Sequence, residues 1–139
     1  MPVEGGTARQ LTHQFAEDGF ESPDGKLFYF AKGRRADGIW SIPVEGGEEQ
    51  LIPELKTAGY WRSWGVLEQG IYFTSKATSP HQTIQFYSFT TRQVTPLLTI
   101  EKDPLYFQPG LTISPDGRLL LYAQRDAKVN DIMLLENFR

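Results

Sequence analysis

The feature that most constrains this chain is a repetition. Pro2-Val3-Glu4-Gly5-Gly6, followed by Arg9-Gln10-Leu11, returns 41 residues later as Pro43-Val44-Glu45-Gly46-Gly47, followed by Glu49-Gln50-Leu51. A second element, Phe20-Glu21-Ser22-Pro23-Asp24-Gly25-Lys26-Leu27-Phe28-Tyr29-Phe30, returns as Thr112-Ile113-Ser114-Pro115-Asp116-Gly117-Arg118-Leu119-Leu120-Leu121-Tyr122. Between them, Trp64-Gly65-Val66-Leu67-Glu68-Gln69-Gly70-Ile71-Tyr72-Phe73 keeps the apolar strand and loses the turn motif. Self-similarity at a period of roughly 40 to 50 residues marks an array of one small unit, as in propellers.

The chemistry inside each unit predicts strands joined by tight turns. In Ser-Pro-Asp-Gly, Pro fixes φ at the second position, Ser and Asp can satisfy backbone donors, and Gly accepts the closing geometry. Ile39-Trp40-Ser41-Ile42, Phe86-Tyr87-Ser88-Phe89 and Ile132-Met133-Leu134-Leu135 are β-branched or apolar runs and read as the third strand of each unit. Fourth strands follow at Glu49-Gln50-Leu51-Ile52 and Val94-Thr95-Pro96-Leu97-Leu98. The third unit shows none, whereas Ala8-Arg9-Gln10-Leu11, ahead of the first Ser-Pro-Asp-Gly, matches a fourth strand. The frame is therefore shifted by one strand.

The second strands separate a propeller from a sandwich. Leu27 to Ala31, Ile71 to Phe73 and Leu119 to Ala123 are apolar or aromatic at consecutive positions, so both faces need cover. An inner strand of a blade is covered on both faces by neighbouring blades, while a sandwich strand alternates with polar residues. The expected fold is all-β: a β-propeller segment of three blades, each of four antiparallel strands. The blades are expected at about residues 13–55, 56–102 and 103–139, the last completed by a strand at 7–12.

Asp18-Gly19-Phe20-Glu21-Ser22-Pro23-Asp24-Gly25-Lys26, Ser114-Pro115-Asp116-Gly117-Arg118 and the doubled Pro-Val-Glu-Gly-Gly corner resemble the repeats of the TolB-like propeller family. The middle unit departs by lacking Ser-Pro-Asp-Gly. The ending Asp131 to Arg139 resembles the C-terminus of bacterial proteins that join such a propeller to a winged-helix or kinase domain. The resemblance implies a sensory or protein-binding propeller. The Trp-Asp and Gly-His signatures of eukaryotic WD repeats are absent.

Closed propellers have about four to eight blades, so three blades imply assembly. A symmetric homodimer would give six, with Arg9, Gln10 and Leu11 of one copy completing the blade that ends in Ile132, Met133, Leu134 and Leu135 of the other. The chain itself is thus the first expected partner. A fragment of a longer propeller is the plainer alternative.

Composition narrows the chemistry. A formal charge of -3 with dispersed Lys and Arg argues against nucleic acid as a partner. No run of about 18 apolar residues and no basic-then-apolar leader is present, so neither a membrane span nor export is expected; the sequence as written reads as cytoplasmic, and its composition leaves the compartment undetermined. The absence of Cys removes thiolate chemistry. Only His13 and His81 are available, with no Gly-x-Ser-x-Gly elbow, zinc spacing or phosphate loop; no catalytic residue, metal or cofactor is predicted.

Tyr60-Trp61-Arg62-Ser63-Trp64, at the entry to the middle unit's first strand, is not explained by the repeat. First strands line a propeller's channel, and Trp beside Arg is a composition enriched in binding hot spots. Trp61, Arg62 and Trp64 are therefore the predicted ligand-binding residues, with Trp61 and Arg62 favoured because Trp64 suits the space between blades. The expected function is a non-enzymatic module binding a protein, peptide or small ligand at the channel face. The alternatives are a propeller accessory to a prolyl oligopeptidase-type hydrolase and a fragment with no independent role.

Overall fold

The structure, a computed structural model, describes residues 5–35, 38–75, 81–104, 110–126 and 129–137. The start of the first Pro-Val-Glu-Gly-Gly corner, Ser79-Pro80 beside His81, and the final Phe138-Arg139 lie outside the described residues. Three antiparallel sheets follow one another along the chain. The first contains β1 (Asp18–Glu21), β2 (Leu27–Ala31), β3 (Ile39–Pro43) and β4 (Gln50–Leu51), in that spatial order. A single 3-10 turn at Pro53–Leu55 leads to the second sheet, β5 (Trp64–Leu67), β6 (Gly70–Thr74), β7 (Gln82–Ser88) and β8 (Val94–Ile100). The third contains β9 (Asp103–Pro104), β10 (Leu111–Ile113), β11 (Leu119–Asp126) and β12 (Val129–Glu136), with order β10-β11-β12 and β9 pairing the far end of β11. No α-helix occurs among the described residues, and no helix is long and apolar enough to cross a membrane.

The Ser-Pro-Asp-Gly copies build the β1–β2 and β10–β11 hairpins by the same contacts. Ser22 Oγ donates to Asp24 Oδ1 (2.7 Å) and accepts from the Lys26 and Leu27 amides (3.1 and 2.8 Å). Ser114 Oγ does likewise with Asp116, Arg118 and Leu119 (2.5, 3.2 and 2.9 Å). Gly25 and Gly117 close the two turns at φ of 69° and 67°, a left-handed conformation that side chains resist.

The consecutive apolar residues of the second strands find cover on both faces. Tyr29, Ala31 and Ile39 pack with Trp64, Ile71, Phe73 and Tyr87 of the second sheet. On that sheet's other side Tyr72, Ile84 and Ile100 meet Leu111 and Leu120 of the third. The apolar cores between blades are thus sheet face against sheet face, the packing a propeller requires. Register repeats as well: Leu27 pairs Pro43 and Phe30 pairs Trp40 in the first sheet, while Leu119 pairs Glu136 and Tyr122 pairs Met133 in the third.

The N-terminal segment departs from expectation within one chain. Arg9, Gln10 and Leu11 are not in a strand. Instead the Arg9 guanidinium donates to the Val44 and Glu45 carbonyls, the His13 amide to Glu49 Oε1 (3.1 Å), and Lys32 Nζ to Gln14 Oε1 (3.1 Å). These bonds lay residues 9–14 against the first blade, on the face that carries Lys32, Trp40 and Glu49. The physical reason is distance: β12, whose outer edge lacks a described partner strand, stands at the opposite end of the row of blades. Ile132, Met133 and Leu134 on it are exposed.

Candidate functional site

The three innermost strands, β1, β5 and β10, stand side by side with β5 in the middle. The segment entering β5 ties them together through its backbone. The Arg62 amide donates to Asp18 Oδ2 at the start of β1 (2.8 Å), and the Arg62 carbonyl accepts from the Gly110 and Leu111 amides at the start of β10 (3.0 and 3.3 Å). This knot holds Arg62 at φ 51°, a left-handed conformation uncommon outside Gly and Asn.

Trp61, half-buried, has two guanidiniums close to its ring. Arg34, from the β2–β3 loop, and Arg62 each sit 5.2 Å from its ring centroid, within cation–π range. Arg34 is held there by Glu17, whose Oε2 lies 3.1 Å from its Nε. Arg62 is exposed and its guanidinium makes no ion pair with a described residue. The result is an aromatic plane flanked by cations at one end of the inner strands.

Trp64 does not join this cluster. It is 2% exposed, its ring packs edge-on against Phe20 at a centroid separation of 4.7 Å, and its indole N–H has no hydrogen-bond partner among the described residues. Two residues separate the two tryptophans in sequence, but the strand begins at Trp64, and its first side chain turns into the space between blades.

The opposite, hairpin end of the first two blades carries a feature that single-strand reading missed. A cleft of about 710 Å³ opens between them. Tyr29, Tyr87 and Phe89 form its aromatic wall, with Tyr29 and Phe89 stacked at 5.5 Å. Asp24, Glu54, Glu68 and Arg92 stand around it. Burial, followed by the Asp24 carboxylate, holds the Tyr29 phenol above its ordinary pKa; burial and then Glu54 do the same to Tyr87. These residues come from six separate turns and strands, so only the stacking of blades reveals them.

Among the described residues, no group of three or more His, Cys, Asp or Glu is placed to hold a metal ion. The Asp24 and Asp116 carboxyls are held below their ordinary range by the hydroxyls of Ser22 and Ser114 and by the amides of Lys26 and Arg118, as turn residues.

Three inner strands in a row and four-stranded antiparallel blades packed face to face define a segment of a β-propeller. Solved structures place it more narrowly. TolB from Acinetobacter baumannii superimposes with a TM-score of 0.68 over 94% of this chain and 32% of its own, at 17% identity. An oligogalacturonate lyase solved with manganese matches with a TM-score of 0.62 over 88% of this chain and 34% of its own, at 15% identity. The fold is TolB-like, and the chain spans about a third of the length of these structures. Neither a protein-family model nor a curated protein sequence matches it.

Proposed function

We propose that the chain is a non-enzymatic propeller module that binds a peptide segment of a partner protein on the Arg34–Trp61–Arg62 cluster. The observation that carries this reading is the position of Trp61: half-buried, flanked by two cations, and at the inner-strand end where a propeller's channel opens. An indole face takes up an apolar or aromatic side chain at small entropic cost, and the neighbouring guanidiniums suit a carboxylate beside it. Arg62 is the freer of the two, since Arg34 is already held by Glu17. A peptide pairing an apolar with an acidic residue fits this arrangement.

Selection from an immobilised random-peptide library tests it, followed by affinity measurement with Trp61→Ala and Arg62→Ala. Enriched peptides should carry acidic residues, and each substitution should weaken binding by at least about tenfold, the loss of roughly 1.4 kcal/mol. Unchanged affinity in both variants would overturn the proposal. The accessory-hydrolase reading makes a different prediction: turnover on an esterase or peptidase panel once the partner chain is supplied.

A further inference from the structure

Among the described residues, β3 and β7 each have a fourth strand beside them, and β12 has none. The position in β12 that corresponds to Ile39 in β3 is Ile132, by the matched registers Ala31↔Ile39 and Ala123↔Ile132. Ile39 is 0% exposed and Ile132 77%. On the same face, Leu119, Leu121 and Leu134 are also exposed, whereas their counterparts in the first blade face the second. The outer edge of β12 has backbone groups and no described strand beside it.

The chain also carries a segment matched to that edge. Gln50 and Leu51 form β4, pairing with Ser41 and Trp40. Gln10 and Leu11 repeat Gln50 and Leu51, each pair following a Pro-Val-Glu-Gly-Gly corner, with one residue more between corner and pair in the first copy. The β12 equivalents of Trp40 and Ser41 are Met133 and Leu134.

We propose that residues 8–11 of one copy pair antiparallel with β12 of a second copy, in the register Leu11 opposite Met133 and Gln10 opposite Leu134. The exposed face of the third blade then packs on the face of the partner's first blade that residues 9–14 cover in the single chain. Reach permits this. A fourth strand lies three strand spacings, about 14 Å, from the innermost strand of its blade. Residues 12–17, fully extended, span roughly 24 Å and link Leu11 to β1. Two such seams join two three-blade rows into a closed ring of six.

The test uses the full chain, and the absence of native cysteine makes crosslinking unambiguous. Light scattering at micromolar concentration should give twice 15.8 kDa; a stable monomer would overturn the proposal. Leu11→Cys with Met133→Cys should yield a covalent dimer on a non-reducing gel after mild oxidation, since directly opposed cross-strand Cα atoms lie about 4.5 to 5.5 Å apart, within disulfide reach. The displaced pair Leu11→Cys with Leu135→Cys should crosslink several-fold less. Equal yields, or a disulfide formed within one chain, would refute the register. Hydrogen exchange on the unmodified protein supplies a reading free of mutation: amides at 8–11 should be protected, and exchange at the unstructured rate would count against the seam.

Discussion

Ile39 and Ile132 occupy the same place in their blades, on matched registers, yet Ile39 is wholly buried between the first and second sheets while Ile132 is 77% exposed. Ile39→Ala should cost about 2 to 4 kcal/mol by removing buried atoms from a packed face. Ile132→Ala should cost under about 0.5 kcal/mol when the chain is dilute, because its side chain already meets water. Denaturant midpoints measured over a range of protein concentrations check both. A penalty at Ile132 that grows with concentration is the behaviour expected of a residue buried only on assembly.

The two Ser-Pro-Asp-Gly hairpins differ in how deeply their serines sit. Ser22 is buried and Ser114 only half-buried, although both hydroxyls make the same three hydrogen bonds. Ser22→Ala leaves the Leu27 amide short of its hydroxyl acceptor inside the protein and should cost about 1 to 3 kcal/mol. Ser114→Ala, where water can reach, should cost about half as much, and urea unfolding of the two single variants compares them.

These hairpins, and the blade period with them, were legible in the sequence because their chemistry is local: a hydroxyl, a carboxylate and a glycine within four residues dictate one turn. Trp61 and Arg62 were legible as an oddity of composition, but Arg34, which completes the cluster, arrives from a loop that reads as plain solvated charge. Trp64 belonged with the core, as the step from turn to strand decides. The cleft lined by Tyr29, Tyr87 and Phe89 was not legible at all, since no segment of the chain contains it. Nor was the resting place of Arg9 to Leu11: strand propensity cannot act on an edge that the same chain cannot reach.

Gly70 exposes a constraint that the middle blade's lost turn motif conceals. A Cβ there would overlap the Tyr87 carbonyl and come within 2.7 Å of the Phe86 ring. The β5–β6 hairpin thus relies on close approach of β7 instead of on a Ser-Asp cap. Gly70→Ala should destabilise the protein by about 1 to 3 kcal/mol, the usual cost of overpacking, seen as a lowered denaturant midpoint.

Stability should vary with pH at both extremes, for opposite reasons. The Glu49 carboxyl is held below its ordinary 4.5, first by the hydrogen bond from Lys32 (2.7 Å) and also by the His13 amide. A depressed carboxyl binds fewer protons folded than unfolded, so its contribution is present above about pH 4.5 and lost as pH falls through the folded value. Glu49→Gln should flatten that acid limb. The Tyr29 and Tyr87 phenols are raised above 10.0 by burial, so their contribution is complete below pH 10 and lost as pH rises beyond it. Phenolate absorbance should show the Tyr29 and Tyr87 phenols ionising late, above pH 10, and Tyr29→Phe should remove one of these late steps.

Arg62 performs two tasks that substitution can separate. Its backbone knots β1, β5 and β10 through Asp18, Gly110 and Leu111 in a left-handed conformation, while its side chain flanks Trp61. Arg62→Ala keeps the strained backbone and removes only the side chain, so stability should stay within about 0.5 kcal/mol. Arg62→Gly relieves the strain, at φ 51°, that a Cβ imposes, and should match or exceed the native midpoint by up to about 1 kcal/mol. Asp18→Ala, which leaves the Arg62 amide without its acceptor, should destabilise by about 1 to 2 kcal/mol. If the peptide reading holds, both Arg62 variants lose binding while differing in stability in this order. A loss of binding that instead tracked stability across the three variants would assign Arg62 to the scaffold alone.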